Sequence, residues 1–468
     1  MNAYAHYAFA LALMTTAATA ARAETPPAPG PAVPFKLPPR HDLALDNGGK
    51  VTLLPFGAVP KACVTWVVRA GNVHESAQQT WLADTTGELL REGTRTQTAA
   101  QLADAAADLG GDLSIDVRPD ETLVTLEVLA EMAPRAVALV GDVVRNPLLP
   151  AERLPNVIGT LVRELTIDRT QPGILAREQL QDVLYAGQAY GRTLPTEAML
   201  RGYTIDDVRK FYAANYGAAR SHLYVIGRFD AAAVERAARQ TLGGWTRGPD
   251  PSPPPPPPAN VTPQLRVVDR PGAVQSTLAI GAPVPATQSA DFMPLVVTDI
   301  LLGGGGIYSG RIASNLREDK GYSYSPSSSL EARDHAATWR DQADVPTAVT
   351  GASLTEIFKE LARLAAQPPT ALELHAVQQF IAGAFVIGGS SRAGLLQLLR
   401  FVDEQQLGDD WLRDYVARVM AVTPADVQRV AQQYLDDKKM TIVVVGDKKL
   451  VDKQLTPWRK ALTPRRKR

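Results

Sequence analysis

The chain has 468 residues, 45% of them apolar and 21% charged, an ordinary composition for a globular protein of two or three domains. Lys plus Arg and Asp plus Glu both number 49, so the formal net charge is zero, which argues against a nucleic-acid binder and against an electrostatic membrane binder. The single cysteine, Cys63, excludes an internal disulfide framework and a cysteine-based zinc site.

Residues 8–20 (AFALALMTTAATA) are small and apolar, and Ala21-Arg22-Ala23 supplies an A-x-A cleavage pattern. Residues 1–23 therefore read as a secretory signal peptide. No cysteine follows the apolar run, so a lipid anchor is not expected, and export to a bacterial periplasm is the simplest destination. No later stretch offers about 18 uninterrupted apolar residues, so no membrane span is expected. Residues 24–39 form a Pro-rich, extended lead-in.

Val51 to Ala70 is strand-like, and Cys63 sits inside it as a core residue. Thr98 starts a helix with Gln101 in capping-box position, and Gly110-Gly111 ends it. Leu113, Ile115 and Val117 alternate, Arg118–Glu121 turns, and Val124, Leu126 and Val128 alternate again, which predicts a β-hairpin. Pro134 opens a helix with Val137, Val140 and Val144 on one face, stopped by Asn146-Pro147. Hairpins with helices to one side predict an α+β fold.

Six consecutive prolines, 253–258, cannot be helix interior or central strand. They make 249–262 a polyproline linker between two segments of domain size, 40–248 and 263–458, with a basic tail at 459–468. The two segments look alike. Thr204-x-x-Asp207 starts a helix that leads to a strand ending at Gly227; Thr423-x-x-Asp426 starts one that leads to a strand ending at Gly446. The offsets 423−204, 426−207 and 446−227 each give 219. A tandem duplication is the simplest account.

Much common chemistry is absent. No two of the six histidines (6, 41, 74, 222, 335 and 375) lie three or four apart, so neither H-E-x-x-H nor H-x-x-E-H occurs. There is no G-x-S-x-G elbow, and the glycine run 303–306 lacks the G-K-[ST] of a P-loop.

The duplicated α+β halves and several segments together resemble the pitrilysin/insulinase-like (M16) peptidases, in particular their bacterial periplasmic two-domain members, over nearly all of 40–458. The family's zinc motif, G-L-A-H-x-x-E-H-[ML]-x-x-x-G-T, aligns with Trp81-Leu-Ala-Asp84-Thr-Thr-Gly87-Glu88-Leu-Leu-Arg-Glu-Gly93-Thr94. Asp84 and Glu88 stand where the histidine ligands would be, and Gly87 stands where the basic glutamate would be. Glu164, in Leu161-Val-Arg-Glu164-Leu, stands at the third ligand. An all-oxygen set suits harder cations than zinc, and glycine cannot take a proton from water. The three acids read either as solvated surface groups or as a weak Ca²⁺ or Mg²⁺ site.

Leu301-Leu-Gly303-Gly304-Gly305-Gly306-Ile-Tyr-Ser-Gly310-Arg311 resembles the family's glycine-rich stretch, readable as a helix cap or as a mobile peptide-facing loop. Leu316-Arg317-Glu318-Asp-Lys-Gly321-Tyr-Ser-Tyr324 resembles its L-R-E-x-x-G-x-x-Y. The resemblance implies two M16-like domains forming half of a clamshell, each a mainly antiparallel sheet with helices on one side. It also implies that Arg317 and Tyr324 reach toward a peptide substrate. The alternative is a surface ion pair for Arg317 and a core position for Tyr324.

The pattern points to a non-catalytic subunit, with no metal of its own and inactive alone. A partner chain with an intact H-x-x-E-H would hold the zinc, in a heterodimer that degrades or processes peptides. A partner-free peptide-binding or scaffold protein is the alternative, and an unusual-metal peptidase a third reading.

Overall fold

The computed structural model describes residues 35–251, 261–306 and 309–462, with side chains as far as 460. The expected signal peptide, residues 24–34 of the lead-in, the proline run and the Arg465–Arg468 end of the tail lie outside the described residues. Lys36–Arg468 is one compact unit.

Two sheets organise it. The first contains β1 (His41–Ala44), β2 (Lys50–Pro55), β3 (Lys61–Val68), β4 (Ser114–Val117), β5 (Thr122–Leu129) and β6 (Ser221–Gly227), in the order β1-β2-β6-β3-β5-β4. The second contains β7 (Leu265–Asp269), β8 (Gln275–Val284), β9 (Ser327–Arg333), β10 (Ala336–Pro346) and β11 (Thr441–Gly446), in the order β7-β11-β8-β10-β9. Without β1 the two orders coincide. In each, the last strand inserts parallel to the first and antiparallel to the second. The duplication read from the sequence is thus a duplication of topology.

The first half carries helices α1 (Leu82–Leu90), α2 (Ala99–Asp108), α3 (Ala133–Arg145), α4 (Leu154–Asp168), α5 (Pro172–Leu184), α6 (Ile205–Asn215) and α7 (Ala231–Gly243). The second carries α8 (Phe292–Leu302), α9 (Thr350–Ala366), α10 (Ala371–Gly388), α11 (Arg392–Glu404), α12 (Asp409–Ala421) and α13 (Pro424–Tyr434). The repeated helix starts are matching capping boxes: Thr204 N–H donates to Asp207 at 2.9 Å and Thr423 N–H to Asp426 at 3.1 Å, and each threonine Oγ1 accepts from the aspartate's own amide. The hairpin and the helices at Thr98 and Pro134 form where the sequence places them.

Each sheet carries helices of its own half on one side, as expected from the sequence, and a helix of the other half on the opposite side. Strand β3 is buried almost throughout, so both of its faces need cover. On one face, Ala62, Val64, Trp66 and Val68 join the core of the first half. The other face is covered by α11, which comes from the second half and packs on β6 and β3. Reciprocally, α5 of the first half crosses to the second sheet, where Ala176, Leu180 and Leu184 meet Ala279, Val443 and Val445. The two crossing helices start at residues 172 and 392, within one residue of the 219-residue repeat. Each half therefore completes the other.

Helix α10 is long and apolar enough to cross a membrane by length and composition. It packs inward through Leu374, Ile381 and Phe385, and Gln378 Nε2 donates to the carbonyls of Val419, Met420 and Val422 at 3.0–3.2 Å.

Leu180 is 1% exposed. Leu180→Ala should lower unfolding stability by about 2–5 kcal/mol in urea titrations. Hydrogen exchange should accelerate first in β8 and β11, on the half to which Leu180 does not belong.

Candidate functional site

Helix α1 enters through Trp81, whose φ of 69° is left-handed and whose side chain caps nothing. The orphan amides at this helix start are met by Glu75 instead, which accepts from Trp81 N at 3.0 Å and Ala83 N at 2.7 Å. Asn72 Nδ2 donates to Asp84 at 2.6 Å and to Glu75 at 3.2 Å, tying the preceding loop to the helix. Burial and the adjacent Asp84 push Glu75 up to about 8, against the pull of Asn72 and the two amides. Burial pushes Asp84 up to about 6, with Glu164 and Glu88 adding to the rise and Asn72 opposing it.

Helix α1 packs on α4, so Asp84, Glu88 and Glu164 share one neighbourhood. They do not converge. Glu88 faces Arg91 at 3.6 Å, and Glu164 is exposed. Among the described residues no three His, Cys, Asp or Glu side chains form a set able to hold a metal. The donor chemistry does not fit zinc either, since no imidazole is present and Asp84 is held by an amide donor. Nor is Asp84 a solvated surface acid: it is half-buried and hydrogen-bonded.

Gly87 faces strand β4. A Cβ there would lie 2.5 Å from Val117 Cγ2, so the place of a base is filled by a β-branched neighbour. Strand β4 is an edge strand, and the start of its rim is engaged: the Arg91 guanidinium donates to the carbonyls of Ile115 at 2.5 Å and Leu113 at 3.4 Å.

The second half presents the opposite situation. Helix α8 ends at Gly303, whose φ of 150° suits glycine and whose amide donates to Asp299 O at 3.0 Å. A Cβ on Gly304 would collide with the Asp299 carboxylate, so close packing occupies this part of the run, in keeping with the cap reading. Gly305 passes Phe380, and Gly306 borders open space. A π-helical turn, Ser314–Asp319, then carries Arg317. Such turns recur at functional sites. Leu316 anchors it in the core, and Asn315 Nδ2 donates to Glu356 and Glu360 at 3.0 and 2.8 Å. Gly321, at φ 63°, turns the chain back, and the amides of Tyr322 and Ser323 return to Leu316 O.

This turn brings Arg317 and Tyr324 together. The guanidinium carbon lies 4.7 Å from the centre of the Tyr324 ring, a cation–π contact. Tyr324 is 76% exposed, so it is not a core tyrosine. A phenol and a guanidinium, both hydrogen-bond donors, stand on one rigid turn.

Residues 58–196 match the family described as insulinase (peptidase family M16), and residues 202–380 match the peptidase M16 inactive domain. The chain belongs to peptidase family M16. An uncharacterized zinc protease of Mycobacterium bovis is 26% identical over 365 residues, covering 77% of this chain and 80% of that one. Another from Rickettsia bellii is 23% identical over 287 residues, 60% of this chain and 67% of that one. The crystal structure of a peptidase M16 inactive domain from Pseudomonas fluorescens superposes with a TM-score of 0.81 at 21% identity, covering 87% of this chain and 98% of that one. A protease from Helicobacter pylori gives 0.81 at 19% identity, covering 88% and 100%. These structures share the fold of this M16 chain.

Sequence reasoning missed Asn72, Glu75 and Arg91. The available signal was a helix start with no Ser, Thr, Asp or Asn at its N-cap, which demands a carboxylate from elsewhere.

Two outcomes follow from the α1 region. Asp84 and Glu75 hold protons in the folded chain up to about 6 and 8, well above their ordinary values of 3.8 and 4.5. Their stabilisation is complete below the ordinary values and is lost as pH rises through the folded ones. Asp84→Asn should therefore be less harmful relative to wild type at high pH than at low pH, read as the difference in Tm across that range. Gly87→Glu should destabilise by about 1–3 kcal/mol through overpacking against Val117, and should not confer chelator-sensitive peptide cleavage on the lone chain.

Proposed function

We propose that this M16 chain is the non-catalytic subunit of a heterodimeric zinc peptidase, exported to the periplasm, in which a second M16 chain with an intact H-x-x-E-H carries the zinc. One contrast supports the reading. The slot that family members use for metal is closed by Asn72, Val117 and Arg91, while Arg317 and Tyr324 stand together on one turn with Tyr324 exposed.

The chemistry assigned to this chain is donation. A bound peptide places its scissile carbonyl where negative charge develops during hydrolysis. The Tyr324 hydroxyl and the Arg317 guanidinium supply hydrogen bonds to that oxygen, and the ring under the guanidinium fixes the pair's mutual orientation. Arg317 also suits a peptide carboxylate, which it can grip with two parallel bonds. Peptide binding by strand addition is disfavoured at β4, where Arg91 already takes the rim carbonyls.

The test is co-expression with an M16 chain bearing H-x-x-E-H, followed by peptide cleavage assays. The lone chain should not cleave, and the pair should cleave in a chelator-sensitive way. Arg317→Ala or Tyr324→Phe should reduce the pair's kcat by roughly 10²–10³-fold, the usual loss for one transition-state donor. Unchanged turnover in both variants would refute the donor role. Zinc-dependent cleavage by the lone chain would refute the subunit assignment.

A further inference from the structure

A cavity of about 290 Å³ lies where α11 of the second half covers the first sheet. That is near the lower bound for small-molecule sites. Lys50, Arg69, Arg220 and Arg400 line it, together with Glu121, Asp403 and Glu404. Most of the acids are engaged with other groups. Glu121 pairs with Arg400, both nearly fully buried. Asp403 accepts from the Tyr224 hydroxyl and lies 3.2 Å from His222 Nδ1.

The cations are less well matched. Arg220 is 7% exposed, yet among the described residues no carboxylate lies within ion-pair distance of it. One of its nitrogens donates to Arg69 O at 2.8 Å, and its buried Nε has no partner. Asp250 acts on Arg220 only at longer range and is itself paired with Arg247 at 2.6 Å. Arg69 donates to a carbonyl, Asp403 O, at 2.8 Å. Lys50 stands exposed at the rim, opposite His222 in the β2–β6 ladder. Both cations also act on a neighbouring group: after burial, Arg220 and then Arg69 help push His74 down to about 4.

A buried guanidinium without a counter-charge is costly unless an anion completes it. We propose that the cavity between α11 and the first sheet binds a small anion bearing carboxylate or phosphate groups, held by Arg220 and Arg69 and admitted past Lys50. The cavity wall itself comes from both halves, through Arg400, Asp403 and Glu404 of α11 on the second side. None of these residues belongs to the α1 slot or to the Arg317–Tyr324 turn, so this site stands or falls apart from the peptidase reading.

The test is isothermal titration of the full chain with citrate and, separately, with inorganic phosphate. At least one should bind, more weakly as NaCl concentration rises. Binding of citrate alone assigns a carboxylate ligand; binding of phosphate alone assigns a phosphate ligand. Arg220→Gln should weaken binding about ten-fold or more, as expected for a lost charge-assisted pair, and Lys50→Gln several-fold. No heat from either anion at millimolar concentration in the wild type overturns the site. So does unchanged affinity in both variants. If Arg220→Gln fails to fold, the exposed Lys50→Gln variant decides alone.

Discussion

Central strands with two apolar faces impose the constraint from which this architecture follows. In each half, one face is covered by that half's own helices, and nothing local remains for the other. The chain solves this by exchange: α5 crosses to the second sheet and α11 to the first. Neither half can be stripped from the other without exposing β3 and β6 or β8 and β11 to water, at about 25 cal/mol for each Å² of apolar surface. The exchange also fixes register. The buried Arg400–Glu121 pair and the Tyr224–Asp403 hydrogen bond can be satisfied only when α11 sits at one position along the sheet. A misplaced helix would strand buried charges, which costs more than the pairs return.

What the sequence revealed and what it hid divide along the range of the interactions. The Thr98, Thr204 and Thr423 caps lie within three residues of their partners, and the 114–129 hairpin is governed by its own alternation, so both were legible. The equal offsets exposed the duplication. The destination of α5 was not legible, because an amphipathic helix states that it has an apolar face but not which sheet will take it. Glu75 was hidden for a related reason: it caps α1 from six residues upstream of Trp81, through a loop whose path only the whole fold defines.

The two candidate regions differ in where their polar groups look. In the α1 region they look at one another: Asn72 binds Asp84 and Glu75, Glu75 binds the helix amides, and Arg91 engages the start of the β4 rim. Such a region has spent its donors and acceptors on folding. At the 314–324 turn the scaffold is equally determined, by Leu316, Asn315 and Gly321, yet Tyr324 is directed outward with Arg317 against its ring. A determined scaffold beneath an exposed donor is what preorganised binding requires.

The closure of the α1 slot is also resistant to reversal by any one substitution. A histidine at 84 would remove the shorter of the two hydrogen bonds that Asn72 donates, and a glutamate at 87 would meet Val117. Glu88 can swing toward a metal only by leaving Arg91, whose guanidinium also caps the neighbouring strand. Residues in contact couple, so each partial restoration is destabilising on its own while yielding no complete ligand set. The altered character of this slot is thereby tied to the packing of α1 against β4 rather than to three interchangeable side chains. On the proposed reading, the contribution of this chain to hydrolysis comes from groups that lie elsewhere, at Arg317 and Tyr324.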